Sequence, residues 1–335
     1  MTDTLARDVF ARPLRDLRLS VIEACNFRCP YCMPADRVPE DHGLDAASRL
    51  SFDQIETLVR GFARLGVRKL RITGGEPLLR KGLPALLARL AAIPGIEDLA
   101  LTTNGSLLAG QARALREAGL KRITVSLDTL DPDLFRLLSG GRGDIAGVLA
   151  GIDAAVAAGF APVKLNCVVQ RGVNDDGIGA LAAHARERGH LLRFIEYMDV
   201  GTCNGWSRDR VVPSAEVRDR IAARWPLRAL DPNYRGEVAS RYAYADGAGE
   251  VGFVSSVSAP FCGDCHRARV SADGQLYTCL FAARGHDLRP ALEQGEEALV
   301  ERVAGLWAQR VDRYSEVRSQ AGASRKHVEM FLVGG

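Results

Sequence analysis

The chain has 335 residues, 47% apolar and 25% charged, with a formal net charge of +3. That is ordinary globular composition, in an amount that suits about two domains. It excludes disorder, collagen-like repeats and a fibrous coiled coil, and it argues against nucleic-acid or membrane partners. No stretch approaches the roughly 18 apolar residues of a membrane span. The first ten residues carry Asp3 and Asp8 and lack the apolar core of a secretory signal. A cytoplasmic, reducing location is the expectation, so the eight cysteines point to metal binding or catalysis rather than disulfides.

Taken in order, the chain alternates strands and helices. A strand over 14–22 leads into a long loop holding Cys25, Cys29 and Cys32. Ser51-Phe-Asp-Gln54 reads as a capping box, followed by Phe52, Ile55, Leu58, Val59, Phe62 and Leu65 at helical spacing. Strands are predicted over 67–73, 98–103, 121–127, 163–169 and 191–198, with helices over 83–90, up to 118, 145–158 and 176–188. Continuous apolar strands between helices predict parallel βαβ units. Six units are fewer than the eight of a closed barrel. The predicted fold is therefore α/β, an incomplete (β/α)6 TIM-type barrel with its reactive face at the strand C-termini. After about residue 230 the pattern shifts to short antiparallel strands at 242–244 and 251–254, a second cysteine group, and a helix over 292–307. The predicted division is 8–230 and 231–335.

The first cysteine group is Cys25-Asn-Phe-Arg-Cys29-Pro-Tyr-Cys32. Structural zinc closes with four protein ligands, whereas a chemically active centre keeps a position open. Three thiolates on a four-iron cubane leave one iron free. A zinc knob with a distant fourth ligand is the bland alternative. The second group is Cys262-Gly-Asp-Cys265-His266, with thirteen residues between Cys265 and Cys279. Its spacing also suits c-type haem attachment, which belongs outside the cytosol, or a half zinc ribbon closed by His266 or Cys203. Cys167, on a predicted strand, reads as core.

The first triad, with Tyr31 before its last cysteine and Gly74-Gly75-Glu76-Pro77 at a strand end about 40 residues on, resembles the radical S-adenosylmethionine (SAM) superfamily. That resemblance implies a cluster whose open iron chelates SAM and whose electron cleaves it to methionine and a 5′-deoxyadenosyl radical. Together with the C-x2-C-x13-C group and the terminal Gly-Gly, the whole chain resembles the GTP 3′,8-cyclase family of molybdenum cofactor biosynthesis. This implies two [4Fe-4S] clusters, on Cys25, Cys29 and Cys32 and on Cys262, Cys265 and Cys279. It implies SAM contacts at Tyr31, Gly75, Ser126 and Met198, and GTP contacts at Arg18, Arg71, Thr102, Lys164, Arg267, Ala268 and Arg269. The chemistry implied is conversion of GTP to (8S)-3′,8-cyclo-7,8-dihydroguanosine 5′-triphosphate, with Arg267, Arg269, Gly334 and Gly335 at the reacting centre. An external electron donor and a downstream cyclic pyranopterin monophosphate synthase are implied partners, the chain being monomer or homodimer. The cations also have a physical basis. No G-x-x-x-x-G-K-[ST] loop is present to cradle a triphosphate, so side-chain forks must do so.

Two other readings compete. A peptide-modifying radical SAM enzyme usually carries more cysteines around its auxiliary site, and a zinc-loaded scaffold would be colourless. The terminal Gly-Gly of ubiquitin-like sulfur carriers belongs to small β-rich domains, which this length excludes.

Overall fold

A computed structural model describes residues 5–40, 43, 45–318 and 327–334. Six strands pair in chain order and all in parallel: β1 (Asp16–Ser20), β2 (Lys69–Thr73), β3 (Asp98–Thr103), β4 (Arg122–Ser126), β5 (Lys164–Val169) and β6 (Leu191–Glu196). Between them run α1 (Phe52–Arg64), α2 (Leu83–Ala91), α3 (Ala112–Glu117), α4 (Pro132–Leu138), α5 (Ile145–Ala157) and α6 (Ile178–Glu187). The Ser51–Gln54 box caps α1 in both directions. Its Ile55, Leu58, Val59 and Phe62 join Leu17, Leu19, Leu70 and Ile72 in one apolar core. Burying such a face contributes about 1.5–3 kcal/mol per large side chain.

The remainder follows as α7 (Ser214–Ala222), β7 (Leu227–Leu230), β8 (Ser240–Tyr244), β9 (Glu250–Val254), β10 (Arg267–Val270), β11 (Gln275–Tyr277), β12 (His286–Asp287), α8 (Arg289–Gln294), α9 (Glu296–Ala308), α10 (Tyr314–Val317) and α11 (Met330–Val333). These late strands extend the same sheet at both edges. β9 pairs in parallel with β6 and carries the antiparallel β8 and β7, while β10 pairs in parallel with β1 and carries β11 and β12. The order is β12-β11-β10-β1-β2-β3-β4-β5-β6-β9-β8-β7. Among the described residues β12 and β7 do not pair, so the barrel stays open.

Two expectations need correction. The single helix over 292–307 is two, because Gly295 takes φ +110° between α8 and α9, a conformation that L side chains rarely adopt. The strands β7, β10, β11 and β12 were not anticipated. Among the described residues no helix is long and apolar enough to cross a membrane.

Candidate active site

Parallel register sets the polar pattern of the barrel interior. Arg18 stands opposite Arg71 on β2 and opposite Arg269 on β10. Three guanidiniums from strands far apart in sequence thus share one rung. The pairing continues from Thr102 on β3 to Thr124 on β4 and Lys164 on β5, and from Asn166 to Arg193 on β6. Arg18, Arg71, Thr102, Lys164, Arg193, Arg267 and Arg269 all line a cavity of about 580 Å3, within the size range of small-molecule sites. Arg71 Nη1 donates to Thr102 Oγ1 at 3.0 Å and Thr124 Oγ1 at 3.1 Å, and Arg193 Nε to Asn166 Oδ1 at 3.1 Å.

These cations outnumber the carboxylates among them, of which Asp98 pairs with Lys69 and Arg122. Burial, then Arg193 and its neighbours, pushes Lys164 down to about 7. Burial likewise lowers Lys69 to about 8, Arg193 and Arg269 to about 9, and Arg71 to about 10. Arg18 is held well below its usual value by burial and then by Arg269. A pocket that strains its cations toward neutrality is built for a polyanion, whose charge restores them.

The two cysteine triads line the same cavity. In the first, a turn closes with Cys32 N and Met33 N donating to Cys29 O at 2.9 and 2.8 Å, and Arg28 Nη1 donates to Cys25 O at 2.8 Å. The end of β2 locks this loop in place: Gly75 N donates to Ile22 O at 2.7 Å and Glu76 N to Ala24 O at 2.8 Å. A Cβ at Gly75 would overlap the carbonyl oxygens of Glu23 and Ala24. Glycine is therefore required here for close approach to the cysteine loop, as well as for the wall it presents to the cavity. Glu76 is pinned by Thr103 Oγ1, Asn104 N and Leu78 N at 2.7, 2.7 and 3.0 Å, and burial still raises it to about 7. Tyr31 donates its hydroxyl to Asp128 Oδ2 at 2.7 Å. Burial holds Asp128 up at about 6. Ser126 and Met198 complete this end of the cavity.

The second triad differs electrostatically. Burial raises Cys279 to about 12. It raises Cys265 too, but Arg267 and Arg310 outweigh it and bring that thiol to about 6. Among the described residues no three His, Cys, Asp or Glu groups are arranged to hold a single metal ion. A cubane takes each thiolate at a different iron and does not ask the three to converge. Backbone N–H groups already donate to sulfur, Phe27 N to Cys25 Sγ and Phe281 N to Cys279 Sγ, both at 3.4 Å. Half-buried thiols in threes, Cys25, Cys265 and Cys279 among them accepting hydrogen bonds, fit iron–sulfur clusters. Neither proposed zinc closure fits: Cys203 sits against Cys32 O, 3.8 Å away, and His266 faces Asp16 at 3.6 Å and the Tyr234 ring.

Ala268 is the one expected contact residue whose side chain lies elsewhere. It alternates with Arg267 and Arg269 along β10 and is fully buried in the apolar core, leaving only its main chain for a ligand. The tail does reach inward. Arg269 Nη1 donates to Val333 O at 3.1 Å and to Gly334 O, and Gly334 takes φ +70° against Thr73. Phe331 and Val333 are buried. Just upstream, Glu329 Oε1 accepts from Thr202 N and Thr202 Oγ1 at 2.8 and 2.6 Å, and Oε2 from Cys203 Sγ at 2.9 Å. Gly335 lies outside the described residues. Cys167 is core, 1% exposed.

Residues 19–185 match the radical SAM superfamily and residues 190–316 match the molybdenum cofactor synthesis C family. The GTP 3′,8-cyclase of Xanthomonas campestris pv. campestris is 70% identical over 329 residues, covering 98% of this chain and 97% of that one. The chain belongs to the GTP 3′,8-cyclase family. Another cyclase of that name, from Acidothermus cellulolyticus, is 54% identical over 320 residues, 93% of this chain and 88% of its own. The fold is shared more widely. SuiB of Streptococcus suis, solved bound to SAM, superposes with TM-score 0.62 at 17% identity over 92% of this chain and 68% of its own.

Four cavity cations escaped the reading by motif: Lys69, Arg122, Arg193 and Arg241. The signal for the first three was positional. Lys69 stands two residues before Arg71 on β2, and Arg122 two before Thr124 on β4, so period-two alternation places them on the cavity side.

Proposed function

We propose that the chain converts GTP to (8S)-3′,8-cyclo-7,8-dihydroguanosine 5′-triphosphate while SAM is cleaved to methionine and 5′-deoxyadenosine, at the head of molybdenum cofactor biosynthesis. One observation carries this reading: a single cavity joins two thiol triads across a band of buried cations. Cys25, Cys29 and Cys32 hold one [4Fe-4S] cluster, and Cys262, Cys265 and Cys279 hold the other. A cluster held by Cys25, Cys29 and Cys32 would supply the electron for reductive cleavage of bound SAM.

The protein's own groups bind and orient. Gly75, Ser126, Met198 and the Asp128-anchored Tyr31 form the SAM end. Arg71, Lys164 and Arg193, with Lys69 beside them, take the triphosphate. Their forks replace the missing phosphate loop, each charge-assisted bond contributing about 1.5–3 kcal/mol. Arg18, Thr102, Arg267 and Arg269 complete the GTP side, and Arg269 ties the Gly334 carbonyl to it. The apolar stretches of the wall, Ile195 and Val254 among them, exclude water from a reactive carbon centre. The reaction belongs in the reducing cytoplasm, with an external electron donor and a cyclic pyranopterin monophosphate synthase consuming the product. The peptide reading lacks an observation in its favour.

The test is anaerobic incubation of reconstituted protein with SAM and a reductant, with and without GTP. Expected is 5′-deoxyadenosine formation coupled to loss of GTP. SAM turnover that leaves GTP intact would overturn the assignment.

A further inference from the structure

Outside the cavity wall, a buried charge cluster grips the second cysteine loop. Asp8, Arg12 and Arg310 are 6%, 3% and 4% exposed, and none of them lines the cavity. Asp8 Oδ2 accepts from Arg12 Nε at 2.6 Å and from Arg310 Nη1 at 3.3 Å. Arg12 Nη1 donates onward to the carbonyls of Cys262 at 2.7 Å and Asp312 at 2.9 Å. Arg310 Nη1 reaches the carbonyl of Cys265 at 2.7 Å, and its Nη2 reaches the Cys265 sulfur at 3.3 Å. The Trp307 ring packs under the Arg310 guanidinium at 4.5 Å, and its Nε1 donates to Arg12 O at 3.1 Å.

The charges within this trio do not cancel. Two guanidiniums share one carboxylate, and Arg12 Nη2 and Arg310 Nε are buried without a hydrogen-bond partner. Asp312, about a third exposed, approaches that Nε only to 3.5 Å. A buried cation short of counter-charge is costly, and besides the part-exposed Asp312 the group beside Arg310 able to carry a negative charge is the Cys265 thiol, 3.3 Å from its Nη2. Arg267 Nη2 lies 3.7 Å from the same sulfur. Among the described residues no guanidinium donates to the sulfur of Cys262 or Cys279.

We propose that Asp8, Arg12 and Arg310 form the counter-charge of the second cluster, with Arg310 the positioning residue that donates to the Cys265 thiolate. This rests on the second-cluster assignment above. Hydrogen bonds to ligating sulfur and nearby positive charge favour the more reduced, more negative cluster and so raise its reduction potential. The trio therefore holds the 262–265 loop and sets the second cluster apart electronically from the first, whose loop arginine, Arg28, donates to carbonyl oxygens, to Met33 and to Glu40.

The experiment is an EPR-monitored redox titration of full-length protein in which Cys25, Cys29 and Cys32 are serine, so that only the second cluster reports. Arg310→Met should lower its midpoint potential, and Arg310→Lys should lower it less. Asp8→Asn, which removes the trio's carboxylate, should raise it. A merely structural role would not produce shifts of opposite sign. Potentials equal to that of the parent protein in folded, iron-loaded variants would overturn the proposal. So would loss of fold in all three variants, which would make the trio a folding device. Absence of iron from the parent protein would instead sink the second-cluster assignment on which the proposal stands.

Discussion

Lys164 is the residue where the physics of the cavity is easiest to test. Its amine is lowered to about 7 by burial and then by Arg193, Arg122, Arg71 and Lys69. A bound triphosphate supplies the missing negative charge and raises it again. Below pH 7 the amine is protonated in both the free and bound protein, so it contributes no pH dependence. Above pH 7 the free amine is neutral while the bound one is charged, so binding takes up a proton and weakens as pH rises. Expected is a loss of GTP affinity between pH 7 and 9, up to about tenfold per unit for each such group. Calorimetry in buffers of different ionisation enthalpy should register the proton uptake. Affinity that is flat across that range would contradict it. Lys164→Ala should weaken GTP binding about 10- to 100-fold while leaving SAM binding alone. The cysteines divide similarly: serine at 25, 29 or 32 should abolish reductive SAM cleavage. Serine at 262, 265 or 279 should stop GTP turnover yet leave some uncoupled cleavage, read as 5′-deoxyadenosine without loss of GTP.

At the scale of elements, the C-terminal segment is held at both ends, by Glu329 in the 201–203 turn and by Arg269 at Gly334. Gly201 takes φ +78°, and a Cβ there would overlap the Glu329 carboxylate. Glu329→Ala removes three hydrogen bonds that set where α11 begins. It should therefore uncouple 5′-deoxyadenosine formation from cyclisation while both clusters remain. Deleting Gly334 and Gly335 should do so more severely, with product formation falling by orders of magnitude. A truncated protein cyclising GTP at the full rate would show the tail to be a frayed end. The clasp was invisible in the sequence because Glu329 and Thr202 are 127 residues apart and belong to no motif. The six parallel strands were legible because each is a short run rich in apolar and β-branched residues between helical stretches, even though polar residues alternate within β1, β5 and β6. β11 and β12, three and two residues long, carry too little pattern to detect. Arg267-Ala-Arg269 in β10 reads as a ligand motif, and its strand character shows only in the pairing with β1.

Across the whole molecule, what the sequence left open was closure. Six βα units implied an open barrel, but not that the C-terminal third supplies strands at both edges, β10 beside β1 and β9 beside β6. That pairing brings Arg269 into the rung with Arg18 and Arg71 and carries the second triad to the cavity that holds the first. Motif spacing identified both triads and most of the cations. It could not place Ala268 in the core or bring in Arg193, whose cavity position follows from strand phase alone. Protein purified anaerobically should be brown with about eight iron atoms, the content of two four-iron clusters. Colourless zinc-loaded protein would favour a scaffold. The most direct measurement is mass spectrometry of 5′-deoxyadenosine after turnover with GTP deuterated at the ribose 3′ carbon. Transfer of one deuterium into 5′-deoxyadenosine, with formation of the 3′,8-cyclised triphosphate, is the expected result. Unlabelled 5′-deoxyadenosine beside unconsumed GTP would contradict it.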